Sequence, residues 1–173
     1  AFAEAIAKAG YEVEVVTGFP NYPGGKVYDG YRMRPIQRSQ ENSVAITRLA
    51  IYPSHDKSKV GRVLNYVSFM LSAFFYLTIF ARRADLVYAY HPPLTVGLAA
   101  AASRIFRRNP VVVDIHDLWP DTLSATGMIS NLRILKVVEM TCNWMYRRVQ
   151  HIVLHSHGFR EEMLKRGVPS EKM

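Results

Sequence analysis

A chain of 173 residues is long enough for one ordinary domain with a core of its own. Its composition, 49% hydrophobic, 12% aromatic and 21% charged, excludes a disordered or low-complexity protein, and its single cysteine excludes a disulfide framework and points to a reducing compartment. The formal net charge of +8 asks for an anionic partner, yet no zinc-finger spacing, RNP-like run or helix-turn-helix pattern is present, so nucleic acid is not expected.

The opening AFAEAIAKAG sets Phe2, Ala5, Ile6 and Ala9 at helical spacing and ends on Gly10, placed as a C-cap glycine. YEVEVVTG then reads as a strand. An alternating α/β chain normally opens on a strand, so a first strand and its loop are expected ahead of this helix in a longer protein. Gly18 to Tyr31, GFPNYPGGKVYDGY, is dense in turn formers and aromatics and too long for a plain connection. It is a candidate substrate loop, with Asn21 and Tyr22 as contact residues. RMRPIQRSQENSVAITRLAI divides into two extended segments about a turn near Glu41 to Ser43, and Pro35 makes the first an edge. In this part of the chain Lys26, Arg32, Arg34, Arg38, Arg48, Lys57, Lys59 and Arg62 outnumber Asp29, Glu41 and Asp56, so something negative is expected to approach this side.

Lys59 to Arg83 reads as a helix. Its centre, VSFMLSAFFYLTIFA, carries no charge but is shorter than the ~20 residues of a membrane span. A buried core helix is the first expectation and a helix lying in a bilayer interface the second. DLVYAY is the next strand, HPP a break, and LTVGLAAAASRIF a small-residue helix. NPVVVDIH is a strand whose continuous apolar run asks for cover on both faces. SNLRILKVVEMTCNWMYRRVQ is a helix capped by Ser130 or Asn131, with Cys142 as a small core residue, and HIVLH is a short strand before a helix capped by Ser156. This order predicts an α/β, Rossmann-like, doubly wound and mainly parallel sheet. Such sheets bind ligands at the carboxyl ends of their strands.

At one such end stands VVVDIHDLWPD, residues Val111 to Asp121. Val111 to Val113 belong to the sheet core, and alternation sends Asp114 and His116 to one face and Ile115 to the other. His116 and Asp117 can both reach a bound molecule, and Trp119-Pro120 stiffens the loop. The GFPNYP loop after the YEVEVVTG strand, His91-Pro92-Pro93 after DLVYAY and His155-Ser156-His157 after HIVLH are expected to share the crevice. A metal set of His151, His155 and His157 is rejected, because His151 lies at the opposite strand end, ~13 Å from His155 by strand rise, with no acidic ligand fixed nearby. No P-loop, GxGxxG or G-x-S-x-G occurs.

The segments VTGFPNYPGGKVYDGYR, YHPPLTVGLAAAA, VVDIHDLWPDTLSATGMI and VLHSHGFREEML, in that order, resemble the N-terminal half of a family 4 type retaining glycosyltransferase of the GT-B fold. The similarity runs over nearly the whole chain and is strongest to bacterial enzymes of surface-polysaccharide biosynthesis.

The resemblance implies a single N-terminal Rossmann-like domain over residues 1–173, trimmed at both ends, whose nucleotide-sugar-binding C-terminal partner is absent. It implies transfer with retention from a nucleotide-sugar to a saccharide on polyprenyl diphosphate, without metal or cofactor, at the inner face of the cell membrane. Asp117 and His116 would meet the donor sugar or the attacking hydroxyl, and Asn21, Tyr22, His91, Trp119 and Ser156 would contact substrate. The isolated chain would be inactive. A sugar-nucleotide 2-epimerase half and a non-catalytic Rossmann-like binding module are the alternatives.

Overall fold

The structure is a computed structural model that describes residues 2–54 and 59–173, with Lys59 defined by its backbone alone. Asp56 and Lys57 of the basic segment lie outside the described residues. The chain divides into two compact units, Ala1–Ala73 and Phe74–Met173.

In the first unit α1 (Phe2–Lys8) ends ahead of Gly10, whose φ of 95° is the left-handed conformation that a glycine adopts without Cβ strain. Strand β1 (Glu14–Gly18) runs parallel to β3 (Val44–Leu49), and β2 (Ile36–Glu41) pairs antiparallel with β3 on its other side. The order β1-β3-β2 makes β2 an edge, as Pro35 required. Asn42 and Ser43 close the hairpin at φ 47° and 68°, the two positive values that a tight two-residue turn needs. Phe19, Val44 and Leu49 are among this unit's buried apolar residues. A Cβ on Gly18 would stand 3.0 Å from Ile51 Cγ2, so the strand ends on the residue that lets the next segment close in.

Arg48, one of the basic residues expected to face a partner, is instead consumed internally. It is buried, donates to Ser39 Oγ at 2.6 Å and to Glu41 Oε1 at 2.8 Å, and lies over the Tyr31 ring. Arg48 is therefore not among the positive charges this unit presents to a partner, and the surplus rests on the other basic residues.

The second unit holds β4 (Val87–His91), β5 (Val111–Ile115) and β6 (His151–Leu154), all parallel, in the order β4-β5-β6. Val111, Val113 and Ile115 of the central strand are fully buried. They pack with α3 (Leu94–Arg107) and α5 (Leu132–Arg148) in one cluster that includes Ala100, Ala101, Cys142 and Met145. Cys142 is the small core residue expected, and burial pushes its thiol up to about 11. Asn131 caps α5 by accepting from the backbone N–H groups of Arg133 and Ile134. A short α4 (Asp121–Ala125) follows the β5 loop, and α6 (His157–Lys165) follows β6.

The apolar helix α2 (Lys59–Phe75) continues as a π-helical turn, Tyr76–Phe80. The expectation of a buried core helix is corrected: the stretch Val60–Phe80 is long and apolar enough to cross a membrane by length and composition, and only 11% of it is buried. The reason lies in which face turns inward. Within the first unit Ser72 Oγ donates to the Ala50 carbonyl at 2.6 Å, Asn65 Nδ2 donates to the Tyr52 carbonyl at 2.8 Å, and Ser68 Oγ accepts from the Tyr52 N–H at 2.7 Å. The polar stripe thus faces protein, while Val63, Leu64, Leu71 and Phe75 are exposed. This inverts the usual arrangement of a surface helix.

Candidate functional site at the carboxyl edge of the parallel sheet

Strand β5 delivers its polar residues as alternation requires. Ile115 points into the core with no exposed surface, and Asp114 and His116 share the opposite face, His116 Nε2 standing 3.1 Å from Asp114 Oδ2. Asp114 is 6% exposed, a carboxylate inside the sheet layer that burial alone would favour in its neutral form. Three partners prevent that. Tyr88 of β4 donates its hydroxyl to Oδ2 at 2.6 Å, and Nε2 of His155, just past β6, meets Oδ1 at 2.7 Å. Burial pushes the carboxyl up, but the hydrogen bonds from Tyr88, His155 and His116 outweigh it and hold Asp114 below its ordinary value. Burial and the same carboxylate push the Tyr88 hydroxyl up, so it remains a donor.

The two imidazoles stack, with ring centroids 3.9 Å apart, and Tyr90 packs on the outer face of His116 at 4.4 Å. The parallel register explains the convergence. Ile115 pairs with Leu154, so the residues that follow each strand emerge side by side. A neutral imidazole facing an ionised carboxylate through Nε2 carries its proton there, which leaves Nδ1 as an acceptor.

Asp117 is half-buried next along the loop and forms no side-chain hydrogen bond or ion pair to another described residue. Trp119 packs against the core and edge-on to His91, at 5.8 Å between ring centroids. Arg166, after α6, fixes this loop by donating to the Trp119 carbonyl at 2.6 Å and pairing with Asp121 and Glu162. His91 corrects an expectation. Its imidazole has no exposed surface and neither ring nitrogen reaches a partner in another residue, so it offers a substrate no open face. Burial lowers its pKa to about 4, and its contribution to the edge is through its backbone carbonyl, which accepts from the His116 N–H at 3.0 Å. Ser156 is the cap of α6, its Oγ accepting from the Phe159 N–H at 3.2 Å.

Asn21 and Tyr22 belong to the first unit. There the loop folds on itself: the Asn21 carbonyl accepts from Gly25, the Tyr22 carbonyl accepts from the Tyr28 hydroxyl, and the Tyr22 ring is exposed.

Asp114 is the residue of this cluster that sequence reasoning leaves out of the candidate site, and His155 is expected at the crevice but not as its partner. Strand parity groups His155 with His151 and His157 and offers them no acidic ligand, whereas in the structure Asp114 of the adjacent strand brings a carboxylate to His155. The available signal was that DIH and LHS end neighbouring parallel strands. Sequence order alone does not say which strands are neighbours.

The model of the glycosyl transferase 4-like domain matches residues 1–173. Over 176 aligned residues the chain is 25% identical to WcaI of Escherichia coli (strain K12), named as a colanic acid biosynthesis glycosyl transferase, with 98% of this chain and 42% of that protein covered. The chain therefore spans less than half the length of this curated relative. Its parallel sheet flanked by helices is the Rossmann-like layer of half a GT-B fold, and the match along its entire length places the chain in the glycosyl transferase 4-like family.

Proposed function

We propose that this chain is the acceptor-side half of a glycosyltransferase that moves a sugar from a nucleotide-sugar to a saccharide carried on polyprenyl diphosphate, with retention of configuration. The observation that carries the reading is the strand-edge cluster: a carboxylate and an imidazole, Asp117 and His116, side by side beyond the carboxyl end of the central parallel strand. His116, oriented through Nε2 by Asp114, presents Nδ1 to an acceptor hydroxyl. Asp117 positions that hydroxyl and stabilises the oxocarbenium character of the transferred sugar, while the departing phosphate takes the proton in a front-face attack. Asn21, Tyr22, Trp119 and Ser156 are the further substrate contacts of this reading. The nucleotide-sugar is held by a second domain of the complete protein, and no metal takes part in the transfer step.

The outward apolar face of α2 favours a lipid-borne acceptor over the soluble substrate of an epimerase. With Arg62, Arg82 and Arg83 at its two ends, it suits a protein attached reversibly to the anionic inner face of the cell membrane. The decisive experiment compares the complete protein with its Asp117→Ala variant on a lipid-linked acceptor. A loss of kcat/KM of about 100-fold or more supports the reading, and an unchanged kcat/KM overturns it. The 173-residue chain by itself is expected to transfer no sugar.

A further inference from the structure

We propose that Asp114, His116 and His155 form a binding site for one divalent transition ion of the zinc class. One carboxylate oxygen of Asp114 and one nitrogen of each histidine lie within 4.8 Å of one another. Both histidines already aim Nε2 at this carboxylate, at 3.1 Å for His116 and 2.7 Å for His155. Ligand atoms held ~2.1 Å from a tetrahedral ion stand ~3.4 Å apart, so separations of at most 4.8 Å close by no more than about 1.4 Å when an ion replaces the bridging protons.

The donor set selects the ion. Two imidazoles and one carboxylate favour zinc, cobalt or nickel over magnesium and calcium, which take oxygen ligands. The ligands come from two strand ends whose spacing is set by the parallel register of β5 and β6, so the site does not depend on a long loop. Tyr88 donates to Asp114 Oδ2 at 2.6 Å and helps to fix the carboxylate, the role that a hydrogen-bonding neighbour plays around metal ligands. The side chains of His116 and His155 are 31% and 47% exposed, which leaves an entry path and an open coordination position for water. An ion on Nε2 moves the remaining ring proton of His116 to Nδ1, so it would compete with the hydroxyl contact given to His116 above. That consequence rests on the proposed function, and the binding itself does not.

The test is a titration of the tag-free chain with cobalt(II), read by its visible absorption, followed by displacement with zinc. One cobalt per chain with the intense bands of four-coordinate geometry is expected, displaced by zinc and not by magnesium. His155→Ala should weaken binding by at least about tenfold, as should His116→Gln, which serves if the first variant loses its native circular dichroism. His157→Ala, which removes an exposed imidazole outside the cluster, should bind as the parent does. Absence of saturable binding by the parent chain overturns the proposal, as does undiminished affinity in a folded His155→Ala or His116→Gln variant. Sugar transfer is not part of this readout, so failure here leaves the proposed function standing.

Discussion

Asp114 Oδ1 lies 2.7 Å from His155 Nε2, so a buried carboxylate on the central strand is tied to the first residue beyond its parallel neighbour. The same carboxylate takes the Tyr88 hydroxyl from the strand on the other side. One side chain thus laces the three strands of this sheet together at their carboxyl ends.

Replacing Asp114 with Ala should therefore destabilise the chain by about 1–3 kcal/mol, because it strands a part-buried hydroxyl and removes charge-assisted bonds. His155→Ala, whose ring is half exposed, should cost less than about 1 kcal/mol. Urea unfolding of the two single variants and the double variant separates the pair. Strict additivity would mean that the bond contributes nothing. The Asp114 contribution also has a pH signature: with its folded pKa depressed, it is fully present above the ordinary carboxylate range and is lost as pH falls through the lowered value.

His91 titrates in the opposite chemical sense with the same sign of effect. Burial lowers its pKa from 6.5 to about 4, so the unfolded chain binds a proton between those values that the folded chain refuses. Stability should be undiminished above pH 6.5 and fall as pH drops toward 4, by up to about 3 kcal/mol. His91→Phe keeps an aromatic ring against Trp119 and removes the titrating group. Its unfolding free energy should lose most of its slope between pH 7 and pH 5, and an unchanged slope would assign the acid sensitivity elsewhere.

Gly97 on α3 faces Met145 of α5 so closely that an added Cβ would meet Sδ at 2.5 Å. Alanine there gains about 1 kcal/mol of helix propensity but overpacks a fully buried thioether, an effect of about 1–3 kcal/mol. Gly97→Ala should be destabilising in the parent chain. In a Met145→Val background, where the crowding atom is gone, the same substitution should be stabilising, and thermal unfolding of the four proteins reads the reversal.

The outward face of α2 gives a prediction about lipid. Val63 and Leu71 are 57% and 48% exposed, so Val63→Glu with Leu71→Glu should leave the fold intact. If the face lies in a bilayer interface, the double variant should float with anionic liposomes at least about tenfold less than the parent, since each buried side chain contributes about 1.5–3 kcal/mol. Binding by the parent should fall as salt rises. Equal flotation of parent and variant would remove α2 from membrane attachment.

Much of this was legible in the linear chain. The hairpin turn at Asn42-Ser43, the edge position of the strand after Pro35, the capping of α6 by Ser156 and the split of Asp114 and His116 from Ile115 all follow from local rules, and each is found. What misled were properties set by distant neighbours. The hydropathy of α2 made it a core helix, yet three polar side chains, Asn65, Ser68 and Ser72, dock against the segment that follows β3. His91 sat at a strand end and read as a substrate contact, yet the Trp119 loop closes over it.

By itself the sequence determined the alternation of strands and helices, the family, and the emergence of His116 and Asp117 at the end of a buried strand, because periodicity and turn chemistry act over a few residues. Only the tertiary structure decided that Tyr88, Asp114 and His155 meet, that Arg48 is neutralised by Glu41, and that α2 turns its apolar side outward. Those outcomes depend on which strands lie adjacent and in what register, and that is settled by the packing of segments far apart in the chain, on which local residue preferences are silent.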